Sequence, residues 1–171
     1  MRTIRTNVFE TNSSSIHALS ICKESVYKDF FDKGIGLWSE DKEEILSYEE
    51  VAKILKEDYN DEYYQTYFKK KCSENYTPDP EKIFSVENIE NVVKEHKGGV
   101  HRVFENLEFE NCIEFENCIE DDETALLYWL NKNYFTAKEW ADQDWVEDTF
   151  IQPYTTDAGE KIVAFGYYGR D

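Results

Sequence analysis

The chain has 171 residues, of which 16 % are aromatic and 33 % are charged, so we expect a folded protein with one domain spanning residues 1–171. Its formal net charge of −18 argues against direct binding of nucleic acid or an anionic membrane, because both require a basic surface. The sequence has no long apolar run and no charged-then-apolar leader, so we predict no membrane span, no signal peptide and a cytoplasmic location. The four cysteines show no paired spacing and predict neither a metal site nor a disulfide framework: Cys22, Cys72, Cys112 and Cys118.

The N-terminal segment, residues 1–22, is the least acidic part of the chain. We expect short strands at 3–9 and 16–22, joined by a polar turn. In this turn Ser13 and Ser15 can offer hydroxyls to a phosphate, and His17 with Glu10 can supply a base and its orienting partner. The alternative is that the turn satisfies its own backbone and His17 packs or caps.

This turn also carries a resemblance, in the string Asn7-Val8-Phe9-Glu10-Thr11-Asn12-Ser13-Ser14-Ser15-Ile16-His17. The string resembles the opening of a set of small uncharacterised proteins from bacteriophages and mobile elements of Gram-positive bacteria. The resemblance covers about twenty of the 171 residues and implies no activity, cofactor or site residue. It implies an origin in a phage or mobile element, and this origin favours a protein that acts on host defences.

The next elements are predicted by local signals. The pattern at Glu24–Lys33 indicates a helix that Gly34 ends. A short strand is expected at 35–38. Ser47 and Glu50 have the spacing of a capping box and predict that a helix begins there.

Aromatic residues follow this helix at helical spacings, directly before three lysines at 69–71: Tyr59, Tyr63, Tyr64, Tyr67 and Phe68. Such a cluster can form a stacking platform for nucleic acid. Because the net charge is −18, we favour the interpretation that these residues form part of the core and its rim.

The C-terminal half mixes helices and strands without regular alternation. A break at 77–80 is followed by predicted helices at 85–97 and 121–133, a second capping box at 136–139, and a hairpin of strands at 150–154 and 161–168. We therefore predict an α+β fold with a mixed or antiparallel sheet and about five or six helices.

The most regular stretch is the acidic segment, defined as residues 103–123. It contains nine carboxylates, and residues 103–131 include no Lys or Arg. The hexapeptide Phe-Glu-Asn-Cys-Ile-Glu occurs at 109–114 and again at 115–120. Apolar side chains at odd positions and Glu at even positions predict two strands, broken near Asn111 or Asn117, with one anionic face. Carboxylates on that face would lie about 6.7 Å apart, a spacing on the scale of a nucleic-acid backbone.

Three interpretations of this face are open: a solvated strand face, mimicry of nucleic acid, or binding of Ca²⁺ or Mg²⁺. The leading hypothesis is a non-enzymatic inhibitor without metal or cofactor. It would block a basic nucleic-acid-binding host protein of a defence system, in the manner of an anti-CRISPR protein, through Glu108, Glu110, Glu114, Glu116, Glu120, Asp121, Asp122 and Glu123. The alternative is a small enzyme or nucleotide-sequestering protein that uses the turn at Ser13 to His17, and a structural or virion component is a third possibility.

Overall fold

The computed structural model describes residues 17–96, 119–131, 133–141 and 146–169, and of residues 17–19, 146–148 and 167–169 it describes the backbone. These ranges contain seven helices and six strands, in the order β1 (His17–Lys23), α1 (Glu24–Lys33), β2 (Leu37–Ser39), β3 (Glu44–Leu46), α2 (Tyr48–Tyr59), α3 (Glu62–Lys71), α4 (Pro80–Ile83), α5 (Val86–Glu95), α6 (Asp122–Leu130), β4 (Tyr134–Phe135), α7 (Ala137–Ala141), β5 (Val146–Thr155) and β6 (Lys161–Gly169). The predicted α+β class is confirmed.

The strands form two antiparallel sheets of three strands each. In the larger sheet β6 lies between β1 and β5, and the predicted C-terminal hairpin is present with longer strands than expected. In the smaller sheet β2 lies between β3 and β4. All strand pairs in both sheets are thus antiparallel.

The smaller sheet separates two hydrophobic cores. Successive side chains of a strand point to opposite faces, and in β2 Leu37 contributes to one core and Trp38 to the other. Their strand neighbours divide in the same way, with Leu46 and Tyr134 on the side of Leu37. The side of Trp38 holds Ile45 and Phe135.

The first core is formed by α2 to α6 and is built around α6. Every residue of α6 from Ala125 to Leu130 is buried, which is typical of a helix surrounded on all sides. Trp129 lies at the centre of an aromatic cluster, with ring centroids 5.6 Å from both Phe68 and Phe84.

The second core lies between the two sheets, together with α1 and α7. Trp38 packs against Trp140 and Phe165 with ring centroids 6.0 and 5.9 Å apart. Phe30 of α1 is also buried in this core. These tilted and edge-on arrangements are the ones that aromatic pairs prefer.

Both predicted capping boxes are present. In the first, the Glu50 backbone N–H donates to the Ser47 hydroxyl at 3.3 Å, and the Ser47 N–H donates to the Glu50 carboxylate at 2.8 Å. In the second, Thr136 and Glu139 make the equivalent pair of bonds at 2.8 and 3.3 Å. Each box satisfies backbone donors that the first turn of a helix leaves open.

The structure has more helices than the five or six expected, because the break at 77–80 contains the start of α4. Pro80 occupies the first turn of this short helix and Asp79 caps it. Proline is favoured at that position, since its missing N–H would be unpaired there in any case. Two short strands, β3 and β4, were also not predicted.

Several predictions fall outside the described residues. They concern the strand at 3–9, the strands of the acidic segment up to residue 118, and Cys112 and Cys118. Among the described helices, none has the length and apolar character needed to cross a membrane.

Candidate functional site

The acidic segment joins the fold at Ile119. This side chain is fully buried in the first core. Its backbone N–H donates to the Lys71 carbonyl at 2.9 Å, and the Ser73 N–H donates to the Ile119 carbonyl at 2.8 Å. These bonds form a parallel bridge between Ile119 and Cys72, so the last part of the segment is held at the end of α3.

Glu120 and Asp121 follow directly. Glu120 is exposed. The Asp121 carboxylate caps α6 by accepting a hydrogen bond from the Thr124 N–H at 2.8 Å, and it also accepts from the Thr124 hydroxyl. An acidic N-cap is favourable because it meets free backbone N–H groups and the positive end of the helix dipole.

Asp122 connects the segment to two other parts of the chain. Its carboxylate accepts a 2.9 Å hydrogen bond from the Tyr76 hydroxyl and forms an ion pair with Lys82. Partial burial by itself would raise the pKa of Asp122, but the hydrogen bonds from Lys82 and Tyr76 and the charge of Lys82 outweigh it and lower that pKa. The pKa of Tyr76 is raised, chiefly by burial and then by this bond.

Glu123 pairs with His96 at the end of α5, with 2.8 Å between the carboxylate oxygen and Nε2. Three of the four described acidic residues of the proposed partner surface therefore have partners within the protein. Glu108, Glu110, Glu114 and Glu116 lie outside the described residues. The hypothesis of a partner surface therefore concerns these four residues and Glu120.

The second sequence-derived site, the turn around Ser13 and Ser15 with Glu10, also lies outside the described residues. The backbone of His17 begins β1 and pairs with Tyr168 of β6.

The aromatic residues of α2 and α3 divide as the core-and-rim interpretation predicts. Tyr59 and Phe68 are buried, whereas Tyr63 is 73 % exposed. Tyr64 and Tyr67 are also exposed. The Lys71 ammonium lies over the ring of Tyr67, 5.4 Å from its centroid.

A cleft of about 330 Å³, which no sequence pattern predicts, opens beside β2 and α2. It is lined by Ser39, Asp41, Lys42, Ile54, Leu55, Asp58, Tyr64, Trp129, Asn133 and Tyr134. These residues come from β2 and the turn after it, from α2, α3 and α6, from the residue before β4 and from β4 itself. The pairing of Ser39 with Tyr134 in the smaller sheet helps to bring together the segments that are most distant in sequence.

The floor of the cleft is buried and polar. Tyr134 is buried, and its pKa is raised by burial first and then by the negative charges of Asp58 and Asp41. Asp41 accepts a 2.5 Å hydrogen bond from the Asn133 amide. Ser39 is only 2 % exposed. The cleft can therefore bind a polar group, and its two carboxylates favour a positive one.

No group of three or more His, Cys, Asp or Glu side chains within the described ranges is arranged to hold a metal ion. Comparisons with protein-family models, with curated proteins and with solved structures find no match.

Proposed function

We propose that this chain is a non-enzymatic inhibitor that binds a basic nucleic-acid-binding protein of the host and occupies its nucleic-acid groove. The observation that carries the proposal is the composition of residues 103–131, which include nine carboxylates and no Lys or Arg. The resemblance of the N-terminal string to phage and mobile-element proteins makes a host defence protein, such as a CRISPR effector, the expected target.

The way the segment joins the fold supports this proposal. Because Ile119 is buried and bonded to the end of α3, the carboxylates before it are attached to the folded protein at a fixed point. A charge-rich surface of this kind increases the rate of encounter with a basic partner and fixes its orientation. Asp121, Asp122 and Glu123 contribute mainly by holding that attachment.

Exposed aromatic residues are the expected source of affinity, since charged groups at an interface contribute more to rate and specificity than to affinity. Tyr67 is exposed near the C-terminal end of α3, the helix that is followed by the bridge to Ile119. Tyr63 and Tyr64 extend this exposed aromatic surface along α3.

The experiment is an affinity pull-down from host lysate, with retained proteins identified by mass spectrometry. The variant changes Glu108, Glu110, Glu114 and Glu116 to Gln. The matched control changes four exposed helix and loop residues by the same total charge: Glu49, Glu74, Glu87 and Glu95. Binding is measured at ionic strengths of about 0.15 M and 1 M, where charges are screened over about 8 Å and 3 Å.

We expect wild type and the control variant to retain a nucleic-acid-binding protein at low salt and to release it at high salt. The acidic-segment variant should retain much less of it. If all three proteins retain the same host proteins, or if the control loses binding as strongly as the variant, mimicry by the acidic segment is excluded.

A further inference from the structure

We propose that the cleft beside β2 and α2 binds a guanidinium or ammonium group on an apolar stem, and that its occupant is an arginine side chain of the protein partner. The identity of the occupant rests on the proposed function. The affinity of the cleft for a guanidinium group does not, because it follows from the residues that line the cleft.

The charges of the cleft favour a cation. Asp41 and Asp58 both contribute carboxylates, and Lys42 offsets one of them. A carboxylate has about four acceptor positions, so the Asn133 amide bound to Asp41 leaves positions for a ligand. Planar guanidinium groups bind carboxylates through two parallel hydrogen bonds, which adds geometric specificity.

The remaining surface suits the stem and the far end of such a side chain. Ile54 and Leu55 provide aliphatic wall, and the rings of Tyr64 and Trp129 lie 6.2 Å apart at the same cleft. Cations are attracted to the faces of such rings. Ser39 adds a polar side chain to the lining.

Size and charge disfavour other ligands. Pockets for small molecules and cofactors have volumes of about 300 to 1,000 Å³, and this cleft of about 330 Å³ is at the lower end of that range. A single side chain therefore fits better than a dinucleotide. An anionic ligand would have to approach two carboxylates on a protein with a net charge of −18.

The test is a titration of the ¹⁵N-labelled protein with N-acetyl-arginine amide, followed through the indole N–H signal of Trp129, which is assigned with a Trp129→Phe variant. N-acetyl-citrulline amide is the control because it has nearly the same shape without the charge. We expect saturable shifts with the arginine compound and weaker, non-saturating shifts with citrulline. Equal responses to the two compounds, or none to either, would overturn the proposal.

Variants separate binding in the cleft from general attraction to an acidic protein. Asp58→Asn and Asp41→Asn should each lower the affinity for the arginine compound about fivefold. This factor corresponds to about 1 kcal/mol, the value for a solvent-accessible ion pair. Glu57→Gln, next to Asp58 on α2 but outside the cleft lining, should leave its affinity unchanged. Lys42→Gln should raise the affinity, an outcome that loss of folding cannot produce.

Equal weakening by Glu57→Gln and Asp58→Asn would show that only the overall charge matters and would overturn the cleft as a site. The proposed function can be wrong while the cleft still binds a guanidinium group. In that case the pull-down would find no basic partner, but the isolated protein would still bind the arginine compound in preference to the citrulline compound. With a partner identified, Asp58→Asn should reduce its retention more than Glu57→Gln does.

Discussion

The Tyr76 hydroxyl donates a 2.9 Å hydrogen bond to the Asp122 carboxylate across 46 positions of sequence. The bond connects the loop after α3 to the first turn of α6. The same loop begins with the bridge that holds Ile119. Tyr76 and Asp122 therefore help to fix the point at which the acidic segment enters the helical core.

Removing this hydroxyl should destabilise the protein. Tyr76→Phe deletes one donor to Asp122 and keeps the ring, so we expect the free energy of unfolding to fall by about 1 kcal/mol. Tyr63→Phe is the control, because Tyr63 is 73 % exposed and its hydroxyl is replaced by water at little cost. Urea denaturation of both variants measures the difference. Equal midpoints for the two variants would show that the bond to Asp122 contributes nothing.

The stability supplied by Asp122 should depend on pH in a defined direction. Its pKa in the folded protein lies below the ordinary value of 3.8. A group with a lowered folded pKa stabilises the protein above its unfolded pKa, and this stabilisation is lost as the pH falls through the folded value. Wild type should therefore be more stable than Asp122→Asn at pH 7, and the difference should shrink below about pH 4.

The comparison of wild type with Asp122→Asn cancels the titration of the other carboxylates. Glu123→Gln provides a second reference, because the Glu123 side chain is 48 % exposed and its pair with His96 is a surface ion pair. Such pairs contribute about 0 to 1 kcal/mol. A difference between wild type and Asp122→Asn that is unchanged from pH 7 to pH 3 would contradict the lowered pKa.

Two glycines near β2 have left-handed backbone conformations but different surroundings. Gly34 and Gly36 have φ values of 67° and 93°. A Cβ at Gly34 would meet nothing within 4 Å, whereas at Gly36 it would lie 2.7 Å from the Leu46 carbonyl oxygen. We expect Gly34→Ala to lower the free energy of unfolding by about 1 to 2 kcal/mol, because alanine disfavours the left-handed backbone conformation. Gly36→Ala should cost more, because the pairing of β2 with β3 must also shift, and chemical denaturation of the two variants checks the order.

These local features explain how much of the fold was predictable. The capping box at Ser47 and Glu50 and the Gly34 end of α1 depend on residues within one turn of the chain, and both are present as predicted. The expected strand at 35–38 starts later, at Leu37, because Gly36 adopts a positive φ. Strands of two or three residues such as β3 and β4 have too little periodicity to be recognised.

The cleft was not predictable for a different reason. Asp41, Asp58 and Asn133 are far apart in the sequence, and no local pattern relates them. They are brought together by tertiary contacts, namely the pairing of β2 with β4 and the contact between Tyr59 of α2 and Trp129 of α6. The charge of the acidic segment, in contrast, is evident from composition, but the internal partners of Asp121 to Glu123 are known only from the structure.

Substitutions in two parts of the acidic segment should have different effects on stability and on partner affinity. Asp122→Asn should lower the free energy of unfolding, because Tyr76 and Lys82 lose their charged partner, and should leave partner affinity nearly unchanged. The combined change of Glu108, Glu110, Glu114 and Glu116 to Gln should lower partner affinity and should not lower the free energy of unfolding. Denaturation and the salt-dependent pull-down, applied to both variants, measure the two effects side by side.

The expected separation follows from the partners of each group. Asp122 is only 20 % exposed and is already bound to a hydroxyl and an ammonium group, so a basic partner would have to displace both. Removing four negative charges from a chain of net charge −18 reduces self-repulsion, which favours the compact state. If Asp122→Asn instead abolishes partner binding in a protein that remains folded, the binding surface extends into the first turn of α6, and the assignment of Asp122 to the fold alone is wrong.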